Sequence, residues 1–437
     1  MFNKRYSDKY IEIIKKDIPK YLKDFKLMKE KIKNSKAIYK GKPVPATYQG
    51  LFYDEKTKCD FKKIADTLMS ISHKVVMEYV NNKNYRNLFP FSEELEKLIL
   101  HDPGYEADIP ICRYDIFYKD DKTFKFCEFN TDGSSAMNED NEIGKILTST
   151  IAMNEFKKEF EIENVELFSP WVREIINIYH EFRDGNPNIA IVDFLDIGTS
   201  NEFLKFKEVF EEFGYNCEIC DIRDLTYKDG NLYHKDYKID LVYRRFVTVE
   251  FLKHIDNLKD FINAYLDDAF VMVGSFRTQI MHTKLIFNIL RNEMTKKILS
   301  DEENDFIEAH IPLTEFLDTN SINKLLKGKD GFILKPVDDY GSHGVYPGKL
   351  YSEDEWKEIL QKVVKENYIY QEYYENNKLE FVEFIDDEFK ISSLGAVIGL
   401  FIYNKKFIAP YTRVGRDAVV GGTYHYYTAP NILIKEL

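Results

Sequence analysis

Residues 112–130 read CRYDIFYKDDKTFKFCEFN, and this stretch decides how the rest of the chain is read. Tyr, Phe, Ile and Cys alternate with charged residues on both sides of Lys119-Asp120-Asp121-Lys122. Period-two alternation marks strands with one face committed to a core, so the stretch reads as two strands and a tight turn. Successive strand side chains point to opposite faces, which puts Arg113 and Asp115 on one side of the first strand and Glu128 and Asn130 on one side of the second. With the turn centred on Asp121-Lys122, Asp115 falls opposite Glu128 and Arg113 opposite Asn130. Like charges placed directly opposite each other destabilise a sheet, so the acid pair needs compensating positive charge. A divalent cation would supply it. Mg²⁺ takes oxygen ligands, is commonly held by one or two carboxylates, and fills its shell with water and substrate phosphates. The alternative is a solvated sheet face on which Arg113 pairs the acids.

The 437 residues suffice for two or three domains, and 44% hydrophobic with 31% charged residues is the balance of a soluble globular protein. A net charge of −13 argues against general nucleic-acid or anionic-membrane binding, both of which want a cationic surface. The N-terminal MFNKRYSDKY runs straight into an amphipathic pattern without a signal-peptide profile, and no apolar run approaches a membrane span. A cytoplasmic protein is expected. The five cysteines are an odd set without a disulfide-framework spacing, and Cys217-Glu218-Ile219-Cys220 lies in a strand-like run whose third-neighbour residues face opposite sides. Both are expected in the core.

Apolar spacing predicts helices over 8–33, interrupted by Pro19, over about 60–79, and over 92–100 with Ser92 as N-cap. After the hairpin comes a small polar turn, Thr131-Asp132-Gly133-Ser134-Ser135, and then a helix from about Glu139 to Phe160. From Asn188 the pattern alternates strand and helix: Ile189 to Phe194, Asn201 to Phe213, Cys217 to Ile222, and Leu241-Val242-Tyr243. Such alternation is that of an open α/β sheet, which tends to hold ligands at the C-terminal ends of its strands, here the loop Asp196 to Ser200. Asp184-Gly185 and Asn186-Pro187 mark a domain boundary.

A second informative stretch, GFILKPVDDYGSHGV, spans Gly331 to Val345. It predicts a strand ending on Lys335 and a loop with Gly341 and Gly344, a combination in which glycine N–H groups cradle phosphate and Lys supplies a point charge. An ordinary β-turn is the alternative. A helix over about 352–365, a strand Tyr368 to Tyr373, and an aromatic strand region from Leu379 to Arg413 complete the chain.

Taken together, Arg113-x-Asp115, Glu128-x-Asn130, Lys284 in His282-Thr283-Lys284-Leu285, Lys335-Pro336 with its Gly loop, Gln371-Glu372-Tyr373 and Tyr411-Thr412-Arg413 resemble the ATP-grasp superfamily. Their order, with E-x-N ahead of the lysines, resembles its circularly permuted branch of glutathionylspermidine synthase-like carboxylate-amine ligases. The resemblance implies an α/β fold in four parts: a helical N-terminal cap (1–104), the first part of the ATP-grasp domain with the metal-binding hairpin (105–184), an α/β pre-ATP-grasp domain (185–275), and the nucleotide-binding second part (276–437). It implies Asp115, Glu128 and Asn130 as Mg²⁺ ligands, and Arg113 and Arg413 as catalytic cations. Lys284, Lys335, Gly341, Ser342, His343 and Gly344 would contact ATP phosphates, while Gln371, Glu372 and Tyr373 line adenine and ribose. The implied reaction joins a small-molecule or peptide carboxylate to an amine through an acyl phosphate, with ATP and Mg²⁺. No amidase activity is expected, since Cys59 has no His or Asn context for hydrolysis. The competing readings are an ATP-dependent phosphotransferase and a catalytically dead nucleotide-binding regulator.

Overall fold

The computed structural model describes residues 3–39, 41–197, 200–338, 343–421 and 426–435. The N-terminal apolar periodicity folds as α1 (Lys4–Lys15) and α2 (Ile18–Lys33). They part where sequence reading put the interruption: Asp17 caps α2 by accepting from the Lys20 N–H, and Pro19 occupies its first turn, where the missing N–H costs nothing. The long helix α3 (Glu55–Asn81) buries Phe61, Leu68, Ile71 and Val75 on one face. The N-terminal region is not purely helical. Leu51–Asp54 forms a strand paired in parallel with Asn431–Lys435, so the two ends of the chain share a sheet.

The central hairpin is β1 (Ile111–Tyr118) and β2 (Phe124–Asn130). Tyr114 and Ile116, two apart on β1, pack into the main core with Leu68, Ile71 and Val75 of α3 as the alternation requires, and so do Phe126 and Phe129 of β2, which are three apart. The register puts Asp115 opposite Glu128 and Arg113 opposite Asn130, but by a route the sequence did not show. The loop is closed by Tyr118 opposite Phe124, and Ile116 faces Phe126. An even ladder would then set Asp115 against Cys127. The register shifts between Asp115 and Ile116, making Cys127 the extra residue of a β-bulge, and this shift brings the two acids face to face.

Beyond the hairpin, α4 (Met137–Thr148) and the short Ile151–Phe156 helix replace the single helix expected there, the break falling where the Thr150 hydroxyl caps the second. A four-stranded parallel sheet follows, built from β3 (Ile189–Asp193), β4 (Cys217–Asp221), β5 (Leu241–Arg244) and β6 (Val271–Val273), in spatial order β6-β5-β3-β4. Cys217 and Cys220 are buried in different clusters on its two faces, as the strand period requires. The chain reverses direction of growth at β3, and ligands of such sheets tend to gather at the C-terminal ends of strands beside that switch. What docks there is the polar turn after the hairpin. Arg244, at the end of β5, is ion-paired with Asp132, and Arg245 donates to the Ser134 carbonyl and to Glu202.

A smaller sheet contains β7 (Thr314–Phe316), β8 (Phe332–Pro336), β9 (Tyr346–Pro347) and β10 (Tyr368–Glu372). The aromatic C-terminal region supplies three long antiparallel strands, β11 (Asn377–Ile385), β12 (Glu388–Tyr403) and β13 (Lys406–Gly415). β12 pairs with β1, so the early hairpin is completed by strands nearly three hundred residues downstream. Among the described residues no helix is long and apolar enough to cross a membrane.

Candidate active site

Asp115 is fully buried, and both its oxygens are taken by guanidinium groups. Arg113 donates from Nε to Oδ1 at 2.7 Å and from a terminal nitrogen to Oδ2 at 3.2 Å, while Arg413 of β13 donates to Oδ2. The positive charge that the Asp115–Glu128 pair demands therefore comes from inside the protein. Arg113 alone was expected to compete for this role. Arg413, 298 residues away, shares it. The close approach has a backbone cause, because Gly399 of β12 lies opposite Asp115. A Cβ there would sit 2.5 Å from Cδ of Arg113 and 2.7 Å from Oδ1 of Asp115. Gly399→Ala is expected to cost about 1–3 kcal/mol through overpacking, read as a shift in the urea midpoint. An unchanged midpoint would mean that the pair is free to move.

Glu128 is different. Its side chain is 34% exposed, at the bottom of a cleft. Burial alone would push its carboxyl up, but Arg413, Lys284, Lys335 and Arg113 together hold it down at about 2, so it stays ionised. Asn130 donates its amide to Glu128 at 3.3 Å.

Two cavities open on this carboxylate. The first is lined by Glu128, Lys284, Lys335, His343, Gln371, Glu372, Tyr373 and Arg413, together with apolar Phe117, Val345 and Val420. An apolar wall with a few convergent polar and charged groups is the lining of a small-molecule site. The Lys335 ammonium donates to the carbonyl of the bulge residue Cys127 at 3.1 Å and to Oε1 of Gln371 at 2.8 Å. Gln371 in turn donates to the Thr314 hydroxyl, so its amide holds Lys335 in place. Glu372 accepts from the Leu313 N–H and the Tyr374 hydroxyl. Lys284 is not on a helix face. It lies between the short helices Gln279–His282 and Ile286–Ile289, its N–H bonded to the Val337 carbonyl.

The second cavity is lined by Arg113, Glu128, Asn130, Lys284 and Arg413, and by residues to which sequence reading gave no role in the site: Asp132, Glu139, His282, Tyr411 and Tyr426. Glu128, Lys284 and Arg413 belong to both linings and form the wall between the cavities. Gly341 and Ser342 lie outside the described residues. Gly344 is outside both linings; its φ of +66° and a Tyr368 hydroxyl 2.4 Å from any added Cβ explain why glycine stands there. Asp115 lines neither cavity, and neither do the described residues of the loop after β3 that was expected to hold ligand, Gly198 and Thr199 lying outside the described residues. The signal for the missed residues was sequential, since Asp132 and Glu139 follow directly from the E-x-N strand.

The chain is similar in structure to a glutathione synthetase-like effector from Globodera pallida in its apo form. The TM-score is 0.60 at 9% identity, over 95% of this chain and 97% of that one. The likeness is one of fold: the chain shares the fold of that glutathione synthetase-like protein. D-alanyl-alanine synthetase A from Vibrio cholerae also matches, over 56% of this chain and 74% of that one, at a TM-score of 0.31 and 14% identity. No family model matches the chain, and no curated protein matches it.

Proposed function

We propose that the chain is an ATP-dependent carboxylate-amine ligase that works through an acyl phosphate, with the circularly permuted domain order of the glutathionylspermidine synthase-like branch and without amidase activity. The observation that carries this is the shared wall: two cavities meet at one ionised carboxylate and two cations, Glu128, Lys284 and Arg413. ATP occupies the first cavity and the acid substrate the second, so the γ-phosphoryl group meets the acceptor carboxylate at that wall. The early hairpin sharing a sheet with β12 and β13 supports the permuted order.

Each residue then has a role. Lys335, fixed by Cys127 and Gln371, and Lys284 bind phosphate oxygens, with His343 beside them and Glu372 and Tyr373 toward the base and ribose. Arg113 and Arg413 face the acceptor carboxylate and the charge that develops on it. Phosphoryl transfer depends on such positioning and charge stabilisation more than on a protein nucleophile. The residues fit Mg²⁺ in part. Glu128 is ionised and reaches the cleft, and Asn130 lines it, so these two would hold the ion, which neutralises the phosphate charge. Asp115, expected as a third ligand, has both oxygens engaged and acts instead as the counter-ion that aligns Arg113 and Arg413. A carboxylate oxygen of the acid attacks the γ-phosphorus and ADP leaves. The amine then attacks the acyl carbon, and phosphate leaves.

Measuring ADP release over panels of acids and amines tests the reading. Release that requires both partners is expected. Amine-independent accumulation of a stable phosphorylated product would instead indicate a phosphotransferase. Binding of MgATP with no ADP release from any pair would indicate a dead regulator.

A further inference from the structure

The Cys217-x-x-Cys220 spacing splits its two thiols between opposite faces of β4, so the pair cannot grip one ion. The face that carries Cys220 also carries Glu218, two residues back along the strand. β4 is an edge strand of the parallel sheet. The chain leaves it into a three-stranded antiparallel meander, Leu225–Lys228, Asn231–His234 and Tyr237–Ile239, with Asn231–His234 in the middle. Leu225, Leu232 and Ile239 of the meander share a buried cluster with Cys220. The Tyr237 hydroxyl donates to the carbonyls of Ile189 and Asn216 at 3.1 and 3.0 Å, which fixes the meander against the start of the sheet. That packing brings His234, the last residue of the middle strand, to Glu218 and Cys220.

A carboxylate oxygen of Glu218, Sγ of Cys220 and a ring nitrogen of His234 all lie within 4.8 Å of one another, the one such group of three among the described residues. His234 Nδ1 is 2.8 Å from a Glu218 oxygen. The His234 and Glu218 side chains are 14% and 38% exposed, and Cys220 is fully buried. A plain His–Glu ion pair accounts for two of these groups, but not for a thiol set against both. Zn²⁺ bond lengths to sulfur, nitrogen and oxygen put tetrahedral ligands roughly 3.3–3.6 Å apart, so side-chain shifts of about an ångström close the group on an ion. One sulfur, one nitrogen and one oxygen donor suit borderline-soft Zn²⁺, whereas Mg²⁺ and Ca²⁺ take oxygen ligands. None of the three residues lines either cavity of the candidate active site.

We propose that Glu218, Cys220 and His234 form a Zn²⁺ site, separate from the two cavities, that staples the meander to the edge strand of the parallel sheet. Cys220 binds as the thiolate, Glu218 as the carboxylate and His234 as the neutral ring. The Cys220 S–H bond is the one bond broken, its proton passing to solvent, and no electron is transferred. One thiolate and one carboxylate match the two charges of the ion, so the partly buried site is neutral. Water fills the fourth position from the side on which Glu218 is exposed.

Titration of the full chain, stripped of transition metals and kept in excess Mg²⁺, with Co²⁺ and then Zn²⁺ tests this. Co²⁺ is expected to bind with a thiolate-to-cobalt charge-transfer band and the intense visible absorption of a tetrahedral ion, and Zn²⁺ is expected to displace it and remove both. Zn²⁺ loading is expected to raise the thermal midpoint by a few degrees, because the ion binds the folded chain. Cys220→Ala and His234→Gln are each expected to abolish the band and to weaken Zn²⁺ binding beyond the roughly 10–100-fold that loss of an outer partner costs. Cys59→Ser, which changes an exposed thiol elsewhere, is expected to keep both. If the change at buried Cys220 prevents folding, the partly exposed His234 decides, and cobalt-edge X-ray absorption of the unaltered protein, expected to show one sulfur neighbour, needs no variant. Absence of the band from the unaltered chain, its survival in Cys220→Ala or His234→Gln, its loss in Cys59→Ser, a cobalt shell without sulfur, or a midpoint that Zn²⁺ leaves unchanged overturns the proposal.

Discussion

Glu128→Gln is expected to lower turnover by a factor on the order of 10³ while leaving the fold intact, the scale seen when a single charge-stabilising group is removed from a preorganised site. The substitution keeps the shape of the side chain and its contact with Asn130. It removes a negative charge that Arg413, Lys284, Lys335 and Arg113 all act on. Lys284 and Lys335 would then face the triphosphate without that counter-charge, while Arg113 and Arg413 keep Asp115, and Mg²⁺ would lose its anionic protein ligand. ATP would bind, with its γ-phosphoryl held by lysines rather than aligned on the acceptor. Steady-state ADP release at saturating MgATP, alongside the thermal midpoint of the variant, checks this. Turnover within a factor of a few of the original, at unchanged Mg²⁺ dependence, would remove Glu128 from the reaction.

Asp115→Ala has its largest effect on stability. Removing one partner of a buried ion pair leaves the other charge buried and uncompensated, which typically costs about 3–5 kcal/mol. Here it strands two guanidinium groups, since Arg113 and Arg413 both close on the same carboxylate. Urea denaturation with and without Mg²⁺ separates the two roles open to this residue. As counter-ion, its loss destabilises the protein equally in excess EDTA and in Mg²⁺. As a metal ligand facing Glu128, its loss in EDTA would relieve like-charge repulsion and stabilise the protein. A midpoint that rises in EDTA would contradict the counter-ion assignment.

The hairpin was legible because alternation is a local property: Tyr114 and Ile116 go to the core, and Arg113 and Asp115 go to the other face. Its register came out as expected through two compensating features, a five-residue loop and a bulge at Cys127. Nothing in a single sequence marks a bulge at a cysteine. The cap at Ser92 was readable for the same local reason, its hydroxyl accepting the Leu95 N–H three residues on. What could not be read was tertiary. Whether an acid pair is neutralised by a metal or by an arginine depends on which strand lies beside it, and β13 is brought there only by the pairing of β12 with β1. Glu139 escaped notice because a glutamate in the first turn of a helix is ordinary in sequence. Its distinction is a buried Oε2 with no hydrogen-bond partner among the described residues.

The direct test of the shared wall is isotope transfer. An acid substrate found in the ADP-release panel is labelled with ¹⁸O in its carboxylate and turned over with MgATP and amine, and the phosphate product is analysed by mass spectrometry. The account predicts one ¹⁸O atom in each phosphate, because the carboxylate oxygen that attacks the γ-phosphorus leaves with it when the amine displaces the acyl phosphate. Unlabelled phosphate, with all ¹⁸O retained in the amide or the acid, would contradict it.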